Sequence, residues 1–186
     1  MALADLRPKL TYEDYVLFPD DGQRHELLDG EHYVTPAPAR KHQRISMRLG
    51  SRLHVFADDR HLGEVLAAPF DVLLSPHDVV QPDLIFVSNE RAAILTDRNA
   101  MGAPNLVVEI FSPRTRRMDE GMKLDRYERL GVEEAWMLDP DQKTAKVYRR
   151  DGSRFASIAN LSAAAGDVLT TPLLPGLEIP LAEIFA

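Results

Sequence analysis

Glu109 stands inside NLVVEIF (105–111), with apolar residues on both sides of it. A strand that is apolar on both faces is normally buried on both faces. A carboxylate in such a place is costly unless it is paired, hydrogen-bonded or bound to a cation. Asp83 opens a second apolar run, DLIFVS (83–88), directly after Gln81-Pro82. If the two runs are neighbouring strands, their carboxylates converge, and two hard oxygen ligands completed by waters are how Mg²⁺ is usually held. Plainer roles stay open to both: Glu109 as a strand-end acid bonded to an arginine, Asp83 as the end of a turn after proline.

Asp119, Lys123 and Tyr127 follow at spacings of four, with Leu130 on the same side. Burial of Tyr127 and Leu130 would draw Lys123 inward toward Glu109. Spacing by itself favours an ordinary surface ion pair between Asp119 and Lys123, worth about 0.3–0.5 kcal/mol. Glu26 precedes the Asp29-Gly30 turn and, by itself, reads as a solvated hairpin residue. His42 suits a phosphate or water contact as well as it suits a satisfied buried histidine. The other histidines, at 25, 32, 54, 61 and 77, form no HxxxH or HxH pair, which speaks against a histidine zinc site. GxSxG, GxxxxGK[ST] and GxGxxG are all absent, so serine-hydrolase, P-loop and dinucleotide-binding readings have no support.

The elements that must position these residues are legible from turn signals and periodicity. Thr11 and Asp14 suggest a capped short helix ending near Pro19. Asp29-Gly30, flanked by Leu27, Leu28, Tyr33 and Val34, predicts a hairpin. Ile45, Leu49, Leu53 and Phe56 define the buried face of a helix over 40–58, with Arg40, Arg44, Arg48 and Arg52 along its flank. EVLAA and FDVLLS, separated by Pro69, predict a hairpin or a bent pair of strands. DLIFVS and NLVVEIF read as strands, and a helix is expected from Pro113 to Leu130, stopped by Gly131. AWMLD and AKVYRR read as strands around Asp139-Pro140-Asp141. The Pro-rich tail predicts a short strand and a final turn. The fold class is α/β (α+β), a mixed central sheet flanked by helices.

The chain has 186 residues, consistent with one domain over 1–186, and 45% of it is hydrophobic. The absence of cysteine excludes disulfides and thiolate metal sites and suits a cytoplasmic location. No apolar stretch suggests a leader peptide or a membrane span. The net charge of -7 runs against unspecific nucleic-acid binding, yet Arg40, Lys41, Arg44, Arg48, Arg52 and Arg60 cluster within one short segment, and Arg114, Arg116 and Arg117 in another.

Six stretches occur in order: HELLDGE (25–31), KHQRI (41–45), VVQPDLIFV (79–87), GAPNLVVEIFSP (102–113), DEGMKLDRYERLGVEEAWMLDP (119–140) and LLPGLEIPLAEIF (173–185). Together they resemble the Uma2 family, assigned to the PD-(D/E)XK nuclease superfamily, over nearly the whole chain. The resemblance implies a restriction-endonuclease-like sheet and a Mg²⁺- or Mn²⁺-dependent endonuclease acting on DNA. It makes Asp83 the acid of the PD motif, Glu109 the second acid and Glu26 the acid of the first motif. The superfamily's lysine position is held here by Phe111, and the resemblance moves that lysine to Lys123. It implies metal ligation by Asp83, Glu109 and the Ile110 carbonyl. Arg40, His42, Arg44, Arg48 and Tyr127 would contact DNA, and a homodimer is the implied assembly. The rival expectations are a catalytically silent DNA-binding module of the same fold and an accessory or regulatory subunit.

Overall fold

The computed structural model describes residues 8–35, 37–112, 116 and 118–186. A one-turn helix α1 (Tyr12–Tyr15) is followed by a hairpin, β1 (Arg24–Leu28) and β2 (Glu31–Thr35), and by the long helix α2 (Arg40–Asp59). Next come β3 (Gly63–Ala67), β4 (Asp71–Ser75), β5 (Asp78–Val80), β6 (Leu84–Ser88), β7 (Asn99–Ala100) and β8 (Leu106–Ile110). A π-helical turn, Met118–Lys123, runs directly into α3 (Leu124–Arg129). The chain continues through β9 (Glu134–Asp139), β10 (Thr144–Asp151), β11 (Arg154–Ser162), β12 (Val168–Leu169), β13 (Ile179–Pro180) and α4 (Leu181–Phe185).

Turn chemistry and periodicity account for most of these elements. Thr11 and Asp14 form the capping box of α1, which stops at Tyr15, short of Pro19. Asp29 and Gly30 both take positive φ, 55° and 76°, the conformation a two-residue hairpin turn of this kind requires. Gly30 admits no side chain there, since a Cβ would lie 2.5 Å from that of Lys9. On α2 the expected face is inside: Ile45, Leu49 and Leu53 are buried. Phe56 is only partly covered, with the Arg60 guanidinium 3.8 Å from its ring centre.

Two sheets lie back to back around the site. The larger has the order β11-β10-β9-β8-β6-β3 and is mixed, because β8 and β9 run parallel while β6 and β8 run antiparallel. The smaller has the order β2-β1-β5-β4-β7. Side chains of β8 alternate between two cores. Leu106, Val108 and Ile110 meet α2 and the C-terminal tail, while Val107 meets Leu28, Val80, Phe111 and Tyr127. Glu109 shares the face of Val107, and Asp83 that of Ile85, so both acids belong to the side shared with the smaller sheet.

Two expectations need correction. EVLAA and FDVLLS do not pair with each other: β3 pairs with β6 in the larger sheet, and β4 with β5 and β7 in the smaller one. The bend at Pro69 carries the chain from one sheet to the other. The second correction is β11, which the sequence pattern does not announce, because its alternation is diluted by Ala, Ser and Asn. It forms because the turn at Gly152, with φ of 60°, folds it back along β10. The expected start of the third helix at Pro113 lies outside the described residues. No helix among the described residues is long and apolar enough to cross a membrane.

Candidate active site

β1 and β8 supply the acids from opposite sheets. On β1, Arg24 and Glu26 are two residues apart and so share a face. Glu26 is 1% exposed, and its Oε1 accepts the Gln81 amide N–H at 2.8 Å. Asp83 immediately precedes β6, whose antiparallel register with β8 pairs Leu84 with Val108 and so brings Asp83 opposite Glu109. Asp83 is held by three donors: Arg24 Nη1 to Oδ1 at 2.9 Å, His42 Nε2 to Oδ2 at 2.9 Å, and the Ile110 amide to Oδ2 at 2.8 Å. An ionised carboxylate only accepts, so His42 carries its proton on Nε2. Its Nδ1 is buried without a hydrogen-bond partner among the described residues.

Lys123 enters from the π-helical turn. The widened turn sets Asp119 and Lys123 side by side on its inner face, both 2% exposed. The Lys123 ammonium lies 2.8 Å from Glu26 Oε1, 3.1 Å from Glu109 Oε1 and 3.6 Å from Asp119 Oδ1. Tyr127, one turn on, donates its phenol to the same Glu109 oxygen at 2.5 Å. Lys123 is therefore a buried partner of two strand acids as well as the i,i+4 partner of Asp119.

Among the described residues, the buried carboxylates Glu26, Asp83, Glu109 and Asp119 share the permanent cations Arg24 and Lys123. Burial opposes the charge of Asp83, but the hydrogen bond and charge of His42, then Arg24 and the Ile110 amide, outweigh it and keep that carboxyl below its ordinary range. Burial dominates at Glu109, and Asp119, Asp83 and Glu26 add to it. Its pKa rises well above the usual glutamate value although Lys123 opposes the rise. Burial also opposes the charge of Lys123, but Glu109, Glu26 and Asp119 overcome it and keep the ammonium protonated. Tyr127, desolvated and beside Glu109, keeps its proton as well. Glu109 thus favours a proton or another cation.

Arg24, Glu26, His42, Asp83, Glu109, Asp119 and Lys123, with Ile110, Thr35 and Ser112, line one cavity of about 30 Å³. That is room for a water or two, or for one small ion. Larger grooves exist, such as one of about 580 Å³ between α2 and the segment Gly176–Ile179, but their charged residues are not buried.

The residues expected to contact DNA divide. Arg40 and Arg44 are exposed on the first turns of α2, either side of His42. Arg48 is turned inward, donating to the backbone carbonyls of Ile184 and Ala186. His42 is 8% exposed and is spent on Asp83, and Tyr127 is fully buried against Glu109, so neither reaches a nucleic acid in this arrangement. Both hold an acid instead. We expect Tyr127→Phe to leave DNA affinity unchanged and to cost ~1.5–3 kcal/mol of stability, the order of a hydrogen bond to a charged group. An affinity loss in a filter-binding assay would return Tyr127 to the DNA surface. Sequence reasoning missed Arg24 and undervalued Asp119. The position of Arg24 two residues before Glu26 on one strand was the available signal.

Comparison with known proteins bears on the family and the fold. The Uma2 family, described as "Putative restriction endonuclease", matches residues 12–182. An uncharacterized protein of Synechocystis sp., slr1290, is 28% identical over 127 residues, which is 64% of this chain and 63% of that protein. The match therefore spans a little under two thirds of that relative's length. A crystal structure from Anabaena variabilis, described as "a putative nuclease belonging to DUF820", superposes with a TM-score of 0.77 at 18% identity, covering 95% of this chain and 97% of that one. At that identity the likeness is one of fold. With the family match running from α1 to α4, the chain belongs to the Uma2 family and carries a nuclease-like mixed α/β fold.

Proposed function

We propose that this protein is a metal-dependent endonuclease that hydrolyses phosphodiester bonds of DNA. The observation that carries the reading is the convergence of the buried carboxylates Glu26, Asp83 and Glu109 on one small cavity with Lys123, on the chain that also carries the exposed Arg40 and Arg44 of α2. The donor set suits a hard divalent cation, since it consists of carboxylate oxygens with no cysteine. The described side chains do not by themselves form a finished ligand cluster of three His, Asp or Glu residues. A backbone carbonyl and waters are needed to complete one. Asp83, Glu109 and the Ile110 carbonyl would hold Mg²⁺ or Mn²⁺, which when bound polarises a scissile phosphate and acidifies a water.

The chain's own residues do the rest. Tyr127 and Lys123 occupy Glu109 Oε1, which leaves Oε2 for coordination. Lys123, fixed between Glu26 and Glu109, orients the attacking water and neutralises charge developing on phosphorus oxygens. His42 and the Ile110 amide keep the Asp83 carboxylate ionised and aimed. Arg40 and Arg44 position the duplex through its phosphates without reading sequence. A homodimer would present a site to each strand.

Incubation of supercoiled plasmid and of single-stranded DNA with Mg²⁺, Mn²⁺ or EDTA tests the reading. Cation-dependent nicking or linearisation is expected, and none in EDTA. Binding without cleavage under every condition would favour the silent module, a reading that the hydrogen bonds already made at both Asp83 oxygens also support. Arg40→Ala and Arg44→Ala are each expected to reduce the salt dependence of DNA binding by about one unit of log–log slope. Arg48→Ala should leave that slope unchanged and lower the melting temperature, because its hydrogen bonds hold α4. Equal slope changes for all three would mean that Arg48 leaves α4 to bind DNA.

A further inference from the structure

Arg24 is assigned no part in the chemistry above, yet its position is specific. Its guanidinium is the sole cation other than Lys123 among the described residues lining the cavity, apart from any charge on His42. It remains 22% exposed where Asp83 is 3% exposed. It is therefore anchored on a buried acid while its outer edge faces the opening. The lone pairs of Asp83 decide what this means. Each carboxylate oxygen accepts about two hydrogen bonds. Oδ2 already accepts from His42 and from the Ile110 amide, one of them backbone and both buried. A cation that takes Asp83 must come to Oδ1, where the Arg24 guanidinium holds one of the two acceptor positions at 2.9 Å and its like charge opposes a second cation on the same oxygen.

We propose that Arg24 is an exchangeable counter-ion that yields Asp83 Oδ1 to a divalent cation and, once released, clamps a phosphate of the nucleic acid at the mouth of the site. The exchange rests on the nuclease reading of this site. Arg24 is suited to both partners. A guanidinium is permanently charged, and its planar fork matches phosphate as well as carboxylate. Its release costs little in packing, since it is a partly exposed side chain on the β1–β2 hairpin. Its loss from Asp83 is more than made good by the entering cation, whose second charge Glu109 and the other carboxylates can take up. Cation and phosphate then bind cooperatively: each favours the state in which Arg24 has left Asp83, and the coupling is reciprocal. Arg24 is in this sense a substrate-binding residue that is held in reserve until the cation arrives.

The test uses Ca²⁺, which takes oxygen ligands as Mg²⁺ does, and a short DNA duplex. Calorimetric titration of wild type, Arg24→Gln and Arg24→Lys with Ca²⁺ alone is the first arm. Arg24→Gln should bind about tenfold tighter than wild type, the order expected when one charge-assisted hydrogen bond no longer has to be broken. The second arm measures duplex binding with Ca²⁺ and with EDTA. Wild type should gain affinity with Ca²⁺, and Arg24→Gln should lose most of that gain while matching wild type in EDTA. Arg24→Lys, which keeps the charge without the fork, should recover only part of it. Equal loss with and without Ca²⁺ would make Arg24 an ordinary phosphate contact and overturn the exchange. Unaltered Ca²⁺ affinity in Arg24→Gln would overturn it too. Wild type that binds Ca²⁺ and cleaves with Mg²⁺, beside an Arg24→Gln variant identical to it in both arms, sinks this proposal alone. Wild type that binds neither Ca²⁺ nor DNA sinks the nuclease reading with it.

Discussion

Glu109→Gln should lower cation-dependent cleavage by about 10³-fold or more, the loss of several kcal/mol of transition-state stabilisation, and at the same time raise the melting temperature. The activity loss follows from removing the carboxylate best placed to take a cation. The stability gain follows from the sign of its shift. Burial first, and the neighbouring Asp119, Asp83 and Glu26 next, push the Glu109 pKa well above its ordinary value. The folded protein therefore holds that proton more tightly than the unfolded chain does. Stability contributed by the protonated form is complete below the ordinary glutamate range and is lost as pH rises toward the raised value. Above the ordinary glutamate range this carboxyl is a cost, which glutamine removes while keeping an acceptor for Tyr127 and Lys123. For a chain of this size each kcal/mol recovered moves the midpoint by about 2–4 °C. In EDTA the gain should grow as pH rises above the ordinary glutamate range and vanish on its acid side. A variant that melts lower than the parent at neutral pH would contradict the raised pKa of Glu109. One that cleaves at the parental rate would remove Glu109 from the mechanism.

Lys123→Met should act in the opposite sense on stability. The ammonium is buried and shared among Glu26, Glu109 and Asp119. Methionine keeps most of the bulk and none of the charge. Removing one member of a buried ionic group leaves the others uncompensated, at a cost of about 3–5 kcal/mol. The raised pKa of Lys123 keeps the ammonium charged at pH 7, so the loss should be complete there. Two rescues distinguish this cause from poor packing. Glu109→Gln in the Lys123→Met background should restore much of the stability, because the surplus charge falls by one. Lowering the pH toward the glutamate range should narrow the gap between variant and parent. Urea denaturation in EDTA measures both. A cost below about 1 kcal/mol, the range of an exposed pair, would place the ammonium in solvent with Asp119 alone. Cleavage should be lost in the single variant, and its persistence would assign the charge-neutralising role elsewhere.

The sequence by itself determined the features that depend on near neighbours. Acids interrupting strongly apolar runs marked Asp83 and Glu109, because burial of a carboxylate demands a partner wherever the strand ends up. The Asp29-Gly30 turn required its hairpin, since both residues adopt positive φ. Four-residue spacing put Ile45, Leu49 and Leu53 on one side of α2 and placed His42 near the core. Tertiary structure alone decided what those residues meet. Arg24 and Asp83 are 59 residues apart in the chain, and Arg48 finds its carbonyl partner at Ile184 across 136. No local pattern encodes either pairing. The same holds for β3 and β4, alike in sequence character, which separate because β3 completes the edge of the larger sheet while β4 is taken up between β5 and β7 in the smaller one. Lys123 is the sharpest case. Its spacing from Asp119 describes a surface pair, and it becomes a buried cation only because Tyr127 packs α3 against β8, where Glu26 arrives from the opposite sheet. The local sequence sets which groups need a partner, whereas the packing of two sheets determines which partner each one gets.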